Sequence, residues 1–284
     1  MKKILPIFIS SLFLLCFWSC SEKGFGDGNC QVTINATIED LEIDVKSDPT
    51  GQYKLYVGIF QNENQLADPL QFNFNNGQAN AVISLVADQT YDLVFWAQGA
   101  KAAYKINDLS AITIPPILPI PPTSPTGTES TLTLLAAKQN DAFCAVLKGV
   151  NFSGSITQEV RLQRVGGVLN ILHSGELSFG AIESTKVEYT SFTKFNPLTD
   201  VFSDEKQLTQ TIIFPSTSND FVEKETINGT KCTVLARSYF FTPEKEYREV
   251  KITTTKNDNT IKETTLTSVP FEQNKKTNLI GNFI

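Results

Sequence analysis

The 284-residue chain has one histidine and one methionine, and only 19% of its residues are charged. His173 alone excludes histidine-rich metal sites, and it leaves a Ser-His-Asp or Cys-His enzyme a single possible base. Met1 is the initiator, so a chain that has lost its leader has no flexible methionine-lined groove. Arginine is absent before Arg161. CxxC, Gly-x-Ser-x-Gly and His-Glu-x-x-His are all missing. Gly24-Phe25-Gly26-Asp27-Gly28 has neither the preceding strand nor the following helix that a phosphate loop requires. Glu223-Lys224-Glu225 and Glu244-Lys245-Glu246 alternate acid with base and are expected as solvated hairpin ends, not as a hydrolytic carboxylate pair. His173, in Leu172-His173-Ser174-Gly175, is expected as an exposed polar residue at a strand end. No catalytic residue, cofactor or metal is expected, and the chain does not read as an enzyme.

What is present begins with a leader. Lys2-Lys3 precedes an apolar run from Ile4 to Trp18, and Ser19-Cys20 follows. A charged start and about 15 apolar residues make a secretory signal, too short for a spanning helix of about 20. Phe17-Trp18-Ser19-Cys20 resembles a bacterial lipobox, in which a small residue precedes the cysteine that is acylated after cleavage. That resemblance implies residues 1–19 as signal peptide, Cys20 as the lipidated first residue and 20–30 as a tether; Cys16 is the weaker candidate. One acyl chain anchors marginally and two or three anchor stably. Losing residues 1–19 removes two lysines and no acid, which leaves 22 basic against 30 acidic residues, a balance of −8. Such a chain is a poor partner for nucleic acid.

The hydrophobic share of 41% suits a core-forming chain, and the length suggests two domains at roughly 100–200 residues each. Val32, Ile34, Ala36 and Ile38 alternate with polar residues, the period of a half-buried strand. Asp40–Val45 alternates similarly, and its three carboxylates are expected on a solvated strand face, not around calcium. Tyr53–Phe60 reads as a strand. Phe72-Asn73-Phe74 and Ala79–Leu85 read as hairpin arms across Asn75-Asn76-Gly77. Tyr91–Ala97 is nearly continuous apolar, as a central strand would be. Residues 115–125 hold six of the 13 prolines and are expected as an extended loop. Further strands are expected at Glu159–Arg164, Val168–Leu172, Lys186–Phe192, Thr209–Phe214, Cys232–Phe241, Glu249–Thr255, Ile261–Thr267 and Asn278–Ile284, with a short helical turn over Ser203–Gln210. Cys30, Cys144 and Cys232 each lie beside a strand-like stretch and read as buried thiols, with the pairing open. The expected fold is all-β: two tandem antiparallel sandwiches over 31–150 and 151–284, joined near Gly149–Gly154.

Several stretches together resemble one family. They are Tyr91-Asp92-Leu93-Val94-Phe95-Trp96-Ala97, Asp141-Ala142-Phe143, Val160-Arg161-Leu162-Gln163-Arg164 leading into Leu169-Asn170-Ile171, Ala236-Arg237-Ser238-Tyr239-Phe240-Phe241-Thr242-Pro243 and Asn278-Leu279-Ile280-Gly281-Asn282-Phe283. Their order and spacing resemble the fimbrillin-like lipoproteins of Bacteroidales over about residues 30–284. The resemblance implies transthyretin-like sandwich domains, a surface-exposed place on the outer membrane, and a role as a fimbria-like structural, anchor or accessory subunit in adhesion. It also implies fimbrial subunits as partners, through a strand-complementation step that follows an arginine-specific cut. With no arginine before Arg161, that cut cannot free a strand from the first domain. A lysine-directed cut at Lys46 or Lys54 is the alternative, and the last core strand falls at Ile284 with no tail to donate. A tethered, non-polymerising relative is therefore expected. The other expectation is a surface module for glycan or host protein, which needs an exposed aromatic face that Trp96, in an apolar strand, does not supply.

Overall fold

The computed structural model describes residues 28–38, 53–75, 77–99, 102, 104–113, 140–177, 180–214 and 223–284. Cys20, Lys46, the Asp40–Val45 stretch and the proline-rich 115–125 segment lie outside them. The first nine strands are β1 (Asn29–Ile38), β2 (Tyr53–Gln61), β3 (Asn64–Gln65), β4 (Leu70–Asn73), β5 (Gln78–Val86), β6 (Thr90–Gly99), β7 (Ile112–Thr113), β8 (Ala142–Asn151) and β9 (Ile156–Arg164). The rest are β10 (Gly167–Ser174), β11 (Ile182–Asn196), β12 (Val201–Ile213), β13 (Lys224–Ile227), β14 (Thr230–Phe240), β15 (Glu246–Lys256), β16 (Ile261–Phe271) and β17 (Lys276–Gly281). The fold is all-β, with no helix among the described residues.

One sheet runs β3-β2-β6-β8-β9-β1-β5, with β4 also on β2. It turns a corner between β8 and β9, where Phe143 and Cys144 alone pair with Arg164 and Gln163. The two limbs then face each other over one core. Val32, Ile34 and Ala36 of β1, Ala81 and Ile83 of β5 and Val160 and Leu162 of β9 meet Leu55 and Val57 of β2 and Leu93, Phe95 and Phe143. Alternation, read correctly in β1 and β5, places these side chains on one face of each strand.

The second half repeats the arrangement with separate sheets, β13-β14-β10-β17 facing β12-β11-β15-β16. In each half the first strand lies between an antiparallel neighbour and the half's last strand, which runs parallel to it: β1 between β5 and β9, and β10 between β14 and β17. Residues 156–164, expected in the second sandwich, pair as β9 along β1 from Val32 to Ile38. Gly149–Asn151 ends β8 and residues 152–154 lie in the β8–β9 connection, while the chain passes from β9 to β10 through Val165-Gly166.

Two further expectations are corrected. The chain does reverse between Asn75 and Gln78, with Gly77 at φ +78° and a bridge between Asn75 and Gln78, while Asn76 lies outside the described residues. The arms of the turn join different partners, however: β4 pairs with β2 and β5 with β1, so the turn carries the chain across the sandwich. Ser203–Gln210 is not helical. It lies in β12, paired along β11, with Leu208 and Gln210 turned inward.

A third core joins the halves. Phe60, Val94 and Trp96, on the far face of the β2–β6 sheet, pack against Phe195, Leu198 and Phe241 of the second half and against Tyr104, Leu109 and Ile112. β7 pairs with β11 at the same place. This explains why Tyr91–Ala97 is nearly continuous apolar: Tyr91, Leu93, Phe95 and Ala97 face the first core, and Val94 and Trp96 face this one. The changeover glycines are equally constrained. A Cβ on Gly166 would stand 2.2 Å from the Phe240 carbonyl oxygen, and one on Gly167 would stand 2.5 Å from that of Glu272.

Gly166→Ala is therefore expected to lose at least the roughly 1–3 kcal/mol typical of overpacking. Gly154→Ala, with open space at its Cβ, is expected to leave the urea midpoint unchanged.

Candidate functional site

The stretches that carry the family resemblance converge on two buried polar arrangements. The first closes the corner of the first sheet. Arg164 ends β9 on the inward face set by Val160 and Leu162, and its Nε and Nη2 donate to Asp141 Oδ1 and Oδ2 at 2.8 and 3.0 Å. Asp141 is fully buried, and the guanidinium lies 5.3 Å from the Phe143 ring centre. Burial pushes the Asp141 carboxyl upward while Arg164 pulls against it. Burial also raises the Tyr104 and Tyr239 hydroxyls, with Asp141 adding to both. The Tyr104 hydroxyl donates to the Asn140 carbonyl. Tyr239 comes from β14, so the corner of the first sandwich is also where the second one meets it.

The second arrangement crosses the β13-β14-β10-β17 sheet. Asn170 of β10 stands opposite Arg237 on β14 and Asn278 on β17. Asn170 Nδ2 donates to Asn278 Oδ1 at 2.9 Å, and Arg237 Nε donates to Asn170 Oδ1 at 3.0 Å. Arg237 also donates to Glu223 at 3.1 Å and to Glu225. Three of the stretches quoted for the resemblance thus supply one cross-strand row. The acids here correct the expectation of a merely solvated hairpin end, because both are bound to an arginine that is 6% exposed. Glu246 does the same for Arg248, which also donates to the Thr190 carbonyl and lies over the Phe192 and Phe271 rings. Of the four arginines, only Arg161 is exposed.

His173 is half-buried near the end of β10, and its Nδ1 is closed off from solvent with no partner among the described residues. Burial lowers its basicity, and Lys262 lowers it further. Cys30 and Cys232 are buried and Cys144 half-buried, all three as free thiols. Burial pushes the Cys144 thiol well above its ordinary range. Among the described residues, no group of three or more histidine, cysteine, aspartate or glutamate side chains is placed to hold a metal. Trp96 is fully buried. Lys54 lies within β2, paired on one side with Asn73 and on the other with Gln98.

The first strand is held along both sides. β1 pairs with β5 from Asn29 to Thr37 and with β9 from Val32 to Ile38. On its outer face a polar row runs across all three strands, with Asn80 Nδ2 donating to Asn35 Oδ1 and Asn35 Nδ2 donating to Glu159 Oε1.

Residues 28–284 match one family model, described as a family of unknown function, DUF6562. The chain belongs to that family. No curated protein matches it. Solved structures similar to this DUF6562 chain include a candidate cell adhesion protein from Bacteroides uniformis ATCC 8492, at 11% identity and a TM-score of 0.49, covering 90% of this chain and 94% of that one. The fimbrial anchor protein Mfa2 from Porphyromonas gingivalis matches at 10% identity and a TM-score of 0.44, covering 88% of this chain and 91% of Mfa2. A candidate adhesin from Bacteroides ovatus matches at 9% identity and a TM-score of 0.46, covering 90% and 92%.

In the DUF6562 chain, removing one partner of the corner pair leaves a buried charge uncompensated. Asp141→Asn and Arg164→Met are each expected to cost about 3–5 kcal/mol in urea denaturation, and the double variant is expected to cost less than the sum. The single histidine gives a pH test. Its folded-state basicity lies below the ordinary 6.5, so below that pH the unfolded chain takes a proton that the folded chain refuses. The stability difference between wild type and His173→Gln is expected to shift against wild type as pH falls from 7 to 5. The imidazole NMR titration midpoint is expected below 6.5.

Proposed function

We propose that this protein is an acylated outer-membrane lipoprotein, anchored through Cys20 and exposed at the cell surface, that serves as a non-polymerising anchor or accessory subunit of a fimbria-like adhesive structure. The observation that carries this reading is Ser19-Cys20 behind a charged and apolar leader, a few residues before a strand held on both sides. Gly28 is eight residue steps beyond Cys20. At about 3.3–3.6 Å each, they keep the start of β1 within about 30 Å of the anchor. We take the two halves as tandem sandwich domains of transthyretin type, with β9 closing the first and β17 the second.

Strand exchange requires the first strand to leave, and several features count against that here. β1 pairs along nearly its whole length with two neighbours, and its inward residues Val32, Ile34 and Ala36 are fully buried. Arg161, the first arginine in the chain, lies beyond β1 in β9, and Lys54 sits inside a paired strand. Proteases act on chain that can be opened locally, and paired strands with buried side chains open least. The subunit is accordingly read as one that partners fimbrial subunits without giving up its own first strand.

The test is metabolic labelling with an alkyne fatty acid in the native cell. Wild type is expected to carry label and to fractionate with the outer membrane, and Cys20→Ala is expected to lose both. Unlabelled wild-type protein in the soluble fraction would overturn the anchoring. Surface shaving followed by co-purification then addresses the fimbrial role: a protected protein with no fimbrial subunit attached would overturn that part.

A further inference from the structure

A sheet edge is a row of unpaired donors and acceptors, and proteins guard such edges with charges, prolines, bulges or short strands. Most edges here are guarded in one of these ways. β12 carries Asp204, Glu205 and Lys206, with Asp204 at φ +61°. β16 carries Lys262, Glu263 and Pro270, with Ser268 at φ +59°. β13 has four residues with Lys224 and Glu225, and β17 has six, beginning with Lys276. β3 and β4 are two and four residues long.

β5 is different. Its nine residues, Gln78-Ala79-Asn80-Ala81-Val82-Ile83-Ser84-Leu85-Val86, contain no charge and no proline. No residue within it has positive φ, although Gly77 and Asp88 flank it with φ +78° and +60°. Among the described residues, the one strand it pairs with is β1. The direction of its backbone groups follows from its two ends. Gln78 exchanges both backbone bonds with Asn75, and the Tyr91 hydroxyl takes the Val86 N–H at 3.2 Å and donates to the Val86 carbonyl at 3.4 Å. Both residues therefore turn away from β1, and by the alternation of a strand so do Asn80, Val82 and Ser84. The ends of the edge are capped, and among the described residues these three form its open window.

The window is self-complementary. If two copies pair antiparallel about Val82, it meets Val82 of the second copy, and Asn80 meets Ser84. Each pair exchanges two backbone bonds. On the inward face Ala81 falls opposite Ile83, and Ala79 opposite Leu85, small beside large. On the outward face Val82 is 49% exposed, so its apolar surface gains a partner. No like charges oppose each other, the usual obstacle to a two-fold contact.

We propose that the β5 edge is a self-association surface that takes the same edge of a second copy of this chain, joining β9-β1-β5 of each into one continuous six-stranded layer. One strand pair lies below the size of a permanent interface, so the contact is transient between free molecules and strengthened where copies are held close together. It does not depend on the anchoring proposed above, because the purified full chain tests it.

Paired Cα atoms about 5.5 Å apart lie within disulfide reach. Under mild oxidation, Val82→Cys is expected to yield a covalent dimer that wild type and Val201→Cys, equally exposed on guarded β12, do not. Asn80→Cys and Ser84→Cys are expected to cross-link when mixed and not alone. Val82→Lys, on the outer face, is expected to keep the wild-type thermal transition and to lose concentration-dependent association in sedimentation. No excess of dimer for Val82→Cys over Val201→Cys, including the case in which the chain's own segments occupy the edge, would overturn the proposal. So would Asn80→Cys or Ser84→Cys coupling to itself as readily as the two couple to each other.

Discussion

A carboxylate and a guanidinium shut away from water must stay together, and the Asp141–Arg164 pair fixes the corner where one sheet becomes two facing layers. Neither charge tolerates burial alone, so the last residue of β9 and the residue before β8 are held in register by more than the two backbone partners they share. The β8–β9 corner in turn decides where β9 runs, and β9 is the parallel neighbour that encloses β1. The same carboxylate raises the hydroxyls of Tyr104, between β6 and β7, and of Tyr239 in the second half. One ion pair thus lies at the meeting point of first-strand enclosure, sandwich closure and the joint between halves.

Much of this was legible from the sequence, for a reason that also explains the failures. Period-two alternation reports which face of a strand is buried, and β1 and β5 show it plainly. It does not report partners. Asn75-Asn76-Gly77 was legible as a turn, but nothing local says whether its arms pair with each other or with strands across the sandwich. The same limit applies to β9, whose place in the first sandwich depends on β1, more than a hundred residues earlier. The arginines were more accessible than they first seem. Arg164 shares parity with Val160 and Leu162, and Arg248 with Val250 and Ile252, so alternation alone puts both on inward faces. What conceals them is the assumption that charge means exposure, which fails where a carboxylate travels with the arginine. Asp141 is that companion for Arg164 and Glu246 for Arg248, as Glu223 and Glu225 are for Arg237.

The displaced ionisations tell a consistent story about what the fold spends its polar groups on. Asp141, Tyr104, Tyr239 and Cys144 are shifted by burial, and Glu176 is drawn down to about 2 by Lys224 and Lys231. Asp141 is bound to Arg164, the Tyr104 hydroxyl donates to the Asn140 carbonyl, and Glu176 joins β13 to β14 through Lys224 and Lys231. Asn170, Arg237 and Asn278, the most distinctive residues of the second half, tie four strands together. The residues by which the chain resembles a family are therefore residues that maintain its architecture, and the resemblance speaks about shape more directly than about any ligand.

The direction of β1 gives that shape a bearing on function. Its first residues lie beside the β5–β6 and β8–β9 turns, where Ala87 N bonds Gly28 O and Asp88 N bonds Phe152 O. Its last residue pairs with Leu162, two positions before Arg164 and the joint with the second half. Ten residues at about 3.3 Å each make β1 roughly 33 Å long. Were Cys20 the anchor, as proposed above, load applied through the second half would cross the corner, the aromatic joint and β1 before reaching the membrane. Along that route the fold places its buried ion pair, its largest aromatic cluster and a strand bonded on both sides. The unguarded β5 edge lies alongside this route, so contact there leaves the connection from joint to anchor intact.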